Sequence, residues 1–275
     1  MNPIKKIVKT HIPFTKMIIQ RMMAYRVNFF LRILIDVFRM FIVYYLWKAI
    51  FENSQNPVLG GFTEEQMIIY IFISLITARV IDNNLDVAMG FEVKSGIIAM
   101  NLIKPLNYKL TLFFKALGEV FFNIFVISIP MWIGIVVIRF ATLGEIPPNI
   151  TTILCYVVST LLGFIIMFFF NFCFGLLSFY VTNLWGIVNL KGASIMFLSG
   201  QLIPLVFFPE WVQKLLQFIP FGSVNYVPVM IYLEKINGSA IVTAFAIQII
   251  WVFVLWFLSV QLWNRAVKRL VVLGG

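Results

Sequence analysis

Six apolar stretches dominate this chain, at roughly 28–50, 66–82, 111–138, 151–181, 187–208 and 239–263. A helix needs about 20 mostly apolar residues to cross a ~30 Å hydrocarbon core. Within hydrocarbon, an isolated segment satisfies its own backbone polar groups only as a helix. The pattern therefore predicts an all-α, polytopic membrane protein with six transmembrane helices. Composition agrees: 61% of the 275 residues are hydrophobic and 12% are charged, against about a quarter charged in a soluble domain. Thirty Phe and seven Trp are too many for a core of this size to hide, so lipid is the solvent for most of the chain. The third and fourth stretches are long enough to tilt or to project beyond the bilayer. Lys191 interrupts the start of the fifth, and Gly200 and Pro204 break its second half, so it reads as a broken or re-entrant segment.

Residues 1–27 hold Lys5, Lys6, Lys9, Lys16, Arg21 and Arg26 and no acid, interleaved with Ile4, Ile7, Val8, Ile12 and Ile18. This is the pattern of an amphipathic helix lying in the membrane interface. A cleavable signal peptide is the rival reading. The apolar stretch that follows is too long for one, and no small-residue cleavage site closes it. Basic residues concentrate in the 83–110 loop (Lys94, Lys104, Lys109) and in the C-terminal tail (Arg265, Lys268, Arg269), whereas the 51–65 loop has Glu52, Glu64 and Glu65 and no base. The positive-inside rule then places both termini in the cytoplasm of a multi-pass cell-membrane protein. No loop has room for a soluble domain, so residues 1–275 form one membrane domain.

Rare residues exclude several chemistries. His11 is the single histidine, which rules out multi-His metal centres and a Ser-His-Asp arrangement within the membrane. Cys155 and Cys173 lie on one apolar run, about 27 Å apart on a straight helix, and so form no disulfide with each other. There is no G-x-x-x-x-G-K-[ST] loop for phosphates and no H-E-x-x-H or G-x-S-x-G motif. Work that needs ATP would require another subunit, and ATP and Mg would be bound there; the chain itself is expected to hold no cofactor or metal. The net charge of +10 fits basic cytoplasmic loops and anionic lipid rather than nucleic acid.

Three sets of residues are candidates for function. In the 83–110 segment, Ile97, Ile98, Met100, Leu102 and Ile103 suit a short helix along the membrane, which Pro105 stops. It is either a plain surface anchor or a docking helix that a cytosolic partner grips through Glu92, Lys94 and Gly96. Charges within spans are expensive and face a partner or a cavity. Arg32, Asp36 and Arg39 fall on one stripe of the first span, and Glu119 lies at a similar depth in the third. They form an ion-pair clamp between helices or a substrate contact. Between spans five and six, Pro209 suits a helix start, and Trp211, Val212, Leu215, Leu216 and Ile219 share a helical face. That segment is either a membrane-anchored loop or a gate over an exit.

The run Glu92-Val93-Lys94-Ser95-Gly96-Ile97, followed by Leu102-Ile103-Lys104-Pro105-Leu106, resembles the loop between helices two and three of ABC-2 type transporter permeases. The segments Ser199-Gly200-Gln201-Leu202-Ile203-Pro204, Phe208-Pro209-Glu210-Trp211 and Ile219-Pro220 resemble the external re-entrant hairpin that such permeases carry between helices five and six. The resemblance covers the whole layout, with 199–238 as the hairpin. It is nearest to an exporter branch whose permeases often pair with a second, related permease. It implies a subunit without catalytic residues, powered by a cytosolic ABC ATPase dimer, with the path formed alongside a second permease, identical or related. Two other classes remain: a lipid-modifying membrane enzyme using Asp82, Asp86 and Glu92, and an ATP-independent channel or assembly subunit.

Overall fold

The computed structural model describes residues 3–143, 147–181, 183–217 and 219–269. The chain begins with α1 (Pro3–Ala24), α2 (Arg26–Glu52), a minimal hairpin of β1 (Val58–Leu59) and β2 (Phe62–Thr63), α3 (Glu64–Ile81), α4 (Leu85–Lys94) and α5 (Ile97–Ile103). It continues through α6 (Tyr108–Phe122), a π-helical turn (Asn123–Ser128), α7 (Ile129–Leu143), α8 (Ile150–Gly175) with a 3-10 turn (Leu176–Phe179), and α9 (Trp185–Leu198). A hairpin with a 3-10 turn (Leu205–Phe207), α10 (Glu210–Gln217), α11 (Phe221–Val224) and α12 (Tyr226–Tyr232) leads to α13 (Ser239–Val267). The strands pair antiparallel, Val58 with Thr63 and Leu59 with Phe62.

This is an all-α polytopic membrane protein. Among the described residues, four helical segments, Glu64–Lys94, Tyr108–Val137, Ile150–Phe179 and Ser239–Val267, are long and apolar enough to cross a membrane. The 27-residue α2 has the length, but Asp36, Arg39 and Lys48 interrupt its apolar run. The fifth stretch is helical only over the 14 residues of α9, about 21 Å at ~1.5 Å per residue. It falls short of a ~30 Å core, as its Gly and Pro suggested.

Local chemistry sets the ends. Thr63 Oγ1 accepts from the Gln66 amide at 3.3 Å and the Gln66 side chain accepts from the Thr63 amide at 3.4 Å, a capping box that starts α3. Asn107 Oδ1 accepts from the Leu110 amide at 3.0 Å and starts α6. Gly96, at φ 72, makes the left-handed elbow between α4 and α5. Pro130 has no amide to offer the Val126 carbonyl, and the backbone ladder widens into the π turn just before it.

The long α8 is the axis of the bundle, packing against α3, α4, α11, α12 and α13. One apolar cluster joins Leu85, Met89, Ile98, Leu112, Phe164, Phe168 and Phe172; a second joins Trp47, Met67, Tyr70, Ile73, Tyr156 and Ile231. Gly163 permits a close approach of α11 to α8, since a Cβ there would stand 2.8 Å from the Val224 carbonyl oxygen. The outer faces stay apolar, with Ile42, Phe253 and Phe257 exposed. Within the 83–110 segment, α5 occupies the expected place, while the residues before it form α4, which packs on α8 as part of the bundle. Leu85 and Met89 are buried there, which explains why this half is core rather than loop.

Candidate functional site

Polar side chains scattered over the sequence converge where α3 breaks from α4. Asp82 is extended, with ψ 136, so carbonyls in the last turn of α3 lose their helical partners. Asn123 of the π turn donates to the Arg79 carbonyl at 2.8 Å. Asn171 of α8 donates to the Asn83 carbonyl at 2.9 Å and to its side-chain oxygen at 3.0 Å. The break is thus held by amides from two neighbouring helices, which is how irregular backbone survives at membrane depth.

Beside the break lies a cavity of about 430 Å³, walled by α2, α3, α4, α8 and α9. That volume is within the usual range for small-ligand sites, roughly 300–1,000 Å³. A second cavity of about 330 Å³ lies on the other flank and shares Arg79, Asp82 and Asn84 with the first. Two ion pairs brace the larger one. Arg79 grips Asp36 with both Nε (2.7 Å) and Nη2, the bidentate geometry that suits a desolvated pair. Lys191 donates to Asp86 and, at 2.7 Å, to Asn171 Oδ1. Asp36 and Asp86 are both buried. Nη2 of Arg39, also on this wall, is buried without a hydrogen-bond partner among the described residues.

The predicted charge set is only partly assembled. Asp36 and Arg39 meet at the cavity, but the partner of Asp36 is Arg79. Glu119 is approached by Arg21 of α1 at 4.0 Å. The Arg32 side chain lies outside the described residues. Arg79, Asn171 and Lys191 were missed as site residues, although two of them are charges within predicted spans, a signal the sequence does carry. The fifth-span interruption at Lys191 is therefore a cavity-lining ion pair.

The α4–α5 elbow also differs in detail. Glu92 faces inward: its carboxylate accepts from Tyr108 at 2.7 Å and Asn101 at 3.1 Å and pairs with Lys115 at 3.4 Å. It staples α4, α5 and α6 together. Ile98 is buried in the core, Ile97 is half-buried, and Lys94, Gly96, Met100 and Pro105 are exposed. Asp86 and Glu92, two of the three acids proposed for a lipid-modifying enzyme, are engaged by cations as braces within the bundle.

In the α9–α13 hairpin, the Ser199 carbonyl accepts from the Tyr226 amide at 3.0 Å, and the Gln201 carbonyl accepts from Ser74 Oγ at 3.2 Å. Tyr70 donates to the carbonyl of Gly200, which sits at φ 78. Burial pushes the Tyr226 phenol up to about 12, so it stays neutral beside Tyr70. Pro204 leads into the 3-10 turn, and Pro209 precedes α10, where Gln213 donates to the Phe208 carbonyl at 2.8 Å. The predicted apolar face of α10 is split: Leu216 is buried, while Trp211 and Leu215 are exposed. Lys235 donates to the Gly61 carbonyl at 2.6 Å and lies over the Phe62 ring, joining the hairpin to the β1–β2 turn. Among the described residues, no group of three or more His, Cys, Asp or Glu side chains is placed to hold a metal ion.

The family described as ABC-2 family transporter protein matches the chain over residues 37–274. Among curated proteins, no match to the chain is found.

Proposed function

Because the chain belongs to the ABC-2 family of transporter proteins, making it a membrane permease component of an ABC transporter, we propose that it is half of an ATP-driven exporter. In this reading a cytosolic ATPase dimer supplies the energy and a second permease, identical or related, completes the path. Both termini and the α4–α5 elbow face the cytoplasm. The observation that carries the reading is the family match across nearly the whole chain. The polar cavity at a helix break, in a bundle whose outer faces are apolar, supports it.

The elbow suits force transmission. Glu92 ties α5 to α4 and α6, so a push on the exposed Lys94, Gly96 and Met100 moves three helices together. The exposed Trp211 supports a reading of the α9–α13 hairpin as an interfacial gate. Native purification of the tagged chain in mild detergent tests the proposal. A P-loop ATPase should co-purify, and cysteines at 94–98 should cross-link to it. A chain that purifies without any ATPase and passes ions through ATP-free bilayers would overturn it.

A further inference from the structure

Resting on the permease reading, we propose that the cavity beside the α3–α4 break binds an amphiphile with a single anionic head, phosphate or carboxylate, through Arg39. The first observation is charge. Among the described residues, three cations line this wall: Arg39, Arg79 and Lys191. Arg79 is committed to Asp36 and Lys191 to Asp86. Asp82, the third acid of the wall, is itself engaged. Arg39 shares the neighbourhood of Asp36 with Arg79, so two guanidiniums face one carboxylate that Arg79 already holds at both oxygens.

The second observation is the orphaned donor. Nη2 of Arg39 is buried and has no hydrogen-bond partner among the described residues. A buried charged donor left unmade is costly, and an anionic oxygen in the adjoining cavity would satisfy it. Guanidinium geometry favours phosphate or carboxylate.

The third observation points to a lipid-like tail. Leu75, Met167 and Ile195 line the same cavity, which gives the polar floor an apolar wall. α2 and α9, which border it, turn Ile35, Phe38 and Leu190 outward, so its flanks are surfaces suited to the bilayer. A head at Arg39 with a tail along those faces matches both chemistries.

Dodecyl phosphate, added to the purified full chain in a neutral maltoside detergent, is the probe. It should raise the melting temperature saturably, and dodecyltrimethylammonium should not. Arg39→Lys should weaken binding modestly and Arg39→Gln at least tenfold. Gly192→Leu lies on the cavity wall where an added Cβ meets nothing within 4 Å. It should fill the site and weaken binding to a similar degree while leaving Arg39 intact, which covers the case of a poorly folded Arg39→Gln. Equal binding by wild type, Arg39→Gln and Gly192→Leu would overturn the proposal. Stabilisation by inorganic phosphate at the same concentration would overturn the amphiphile assignment in favour of a free-anion site. These measurements use the permease without ATPase, so their failure leaves the exporter reading to its own co-purification test.

Discussion

The Asp86–Lys191 pair offers the sharpest test of the site's electrostatics. The Asp86 side chain is 2% exposed and that of Lys191 8%, so solvent screening is slight. Asp86→Asn keeps the shape but strips the ammonium of its counter-charge, leaving Asn171 at 2.7 Å and the ring of Phe174 at 5.8 Å. Removing one member of a buried pair costs about 3–5 kcal/mol, because an unpaired charge stays behind. The hydrogen bond that Lys191 donates to Asn171 Oδ1 offsets part of that, so about 3 kcal/mol is expected for Asp86→Asn. A similar loss is expected for Lys191→Met, which strands the carboxylate. The double variant has no stranded charge and should recover most of the loss. Equilibrium unfolding of the four proteins in mixed detergent micelles yields the cycle directly, with a coupling of about 5 kcal/mol expected. Additive single effects, with a coupling below about 0.5 kcal/mol, would refute the pairing and with it the braced wall of the cavity.

Three further outcomes follow from the geometry. Glu92→Gln should destabilise the elbow by about 1–2 kcal/mol, and a cysteine replacing the buried Ile98 should then react with a soluble maleimide several-fold faster; an unchanged rate would separate Glu92 from the staple. Gly200→Ala meets both a left-handed backbone and Tyr70 Oη 2.9 Å from the new Cβ, so it should cost about 1–3 kcal/mol, whereas Tyr70→Phe should cost about 1 kcal/mol, both read as unfolding shifts in detergent. Gly118→Leu would place its Cβ 2.7 Å from the Thr15 carbonyl oxygen and should lift α1 from α6, detectable as faster trypsin cleavage at Lys5, Lys6, Lys9 and Lys16.

Much of the fold was legible because lipid reduces the choices open to a chain. The apolar runs matched α2, α3, the α6–α7 rod, α8 and α13 closely, since each must close its own hydrogen bonds. The break in the fifth run was written in Gly200 and Pro204, and the α5 helix in its pattern between Gly96 and Pro105. Periodicity did not reveal α4 as core. Leu85 and Met89 look like any interfacial residues until α8 is laid over them.

The site was less legible for a related reason. Asp36 and Arg39 announce themselves as costly charges in a span, but charge alone does not choose a partner. Arg79 is 43 residues from Asp36, and Lys191 is 105 from Asp86. Spacing grouped Arg32, Asp36 and Arg39 on one helix and depth added Glu119 from another, whereas Asp36 pairs with Arg79; Glu92 was read as outward when it points at Tyr108 and Lys115. Local chemistry in the sequence thus determines which segments are helical and membrane-embedded and where they stop, because hydrogen bonding and apolar transfer act within a segment. Which charges meet, which carbonyls an Asn must cap, and where a cavity remains are decided only when helices pack, because those energies depend on distances between segments that no local pattern encodes.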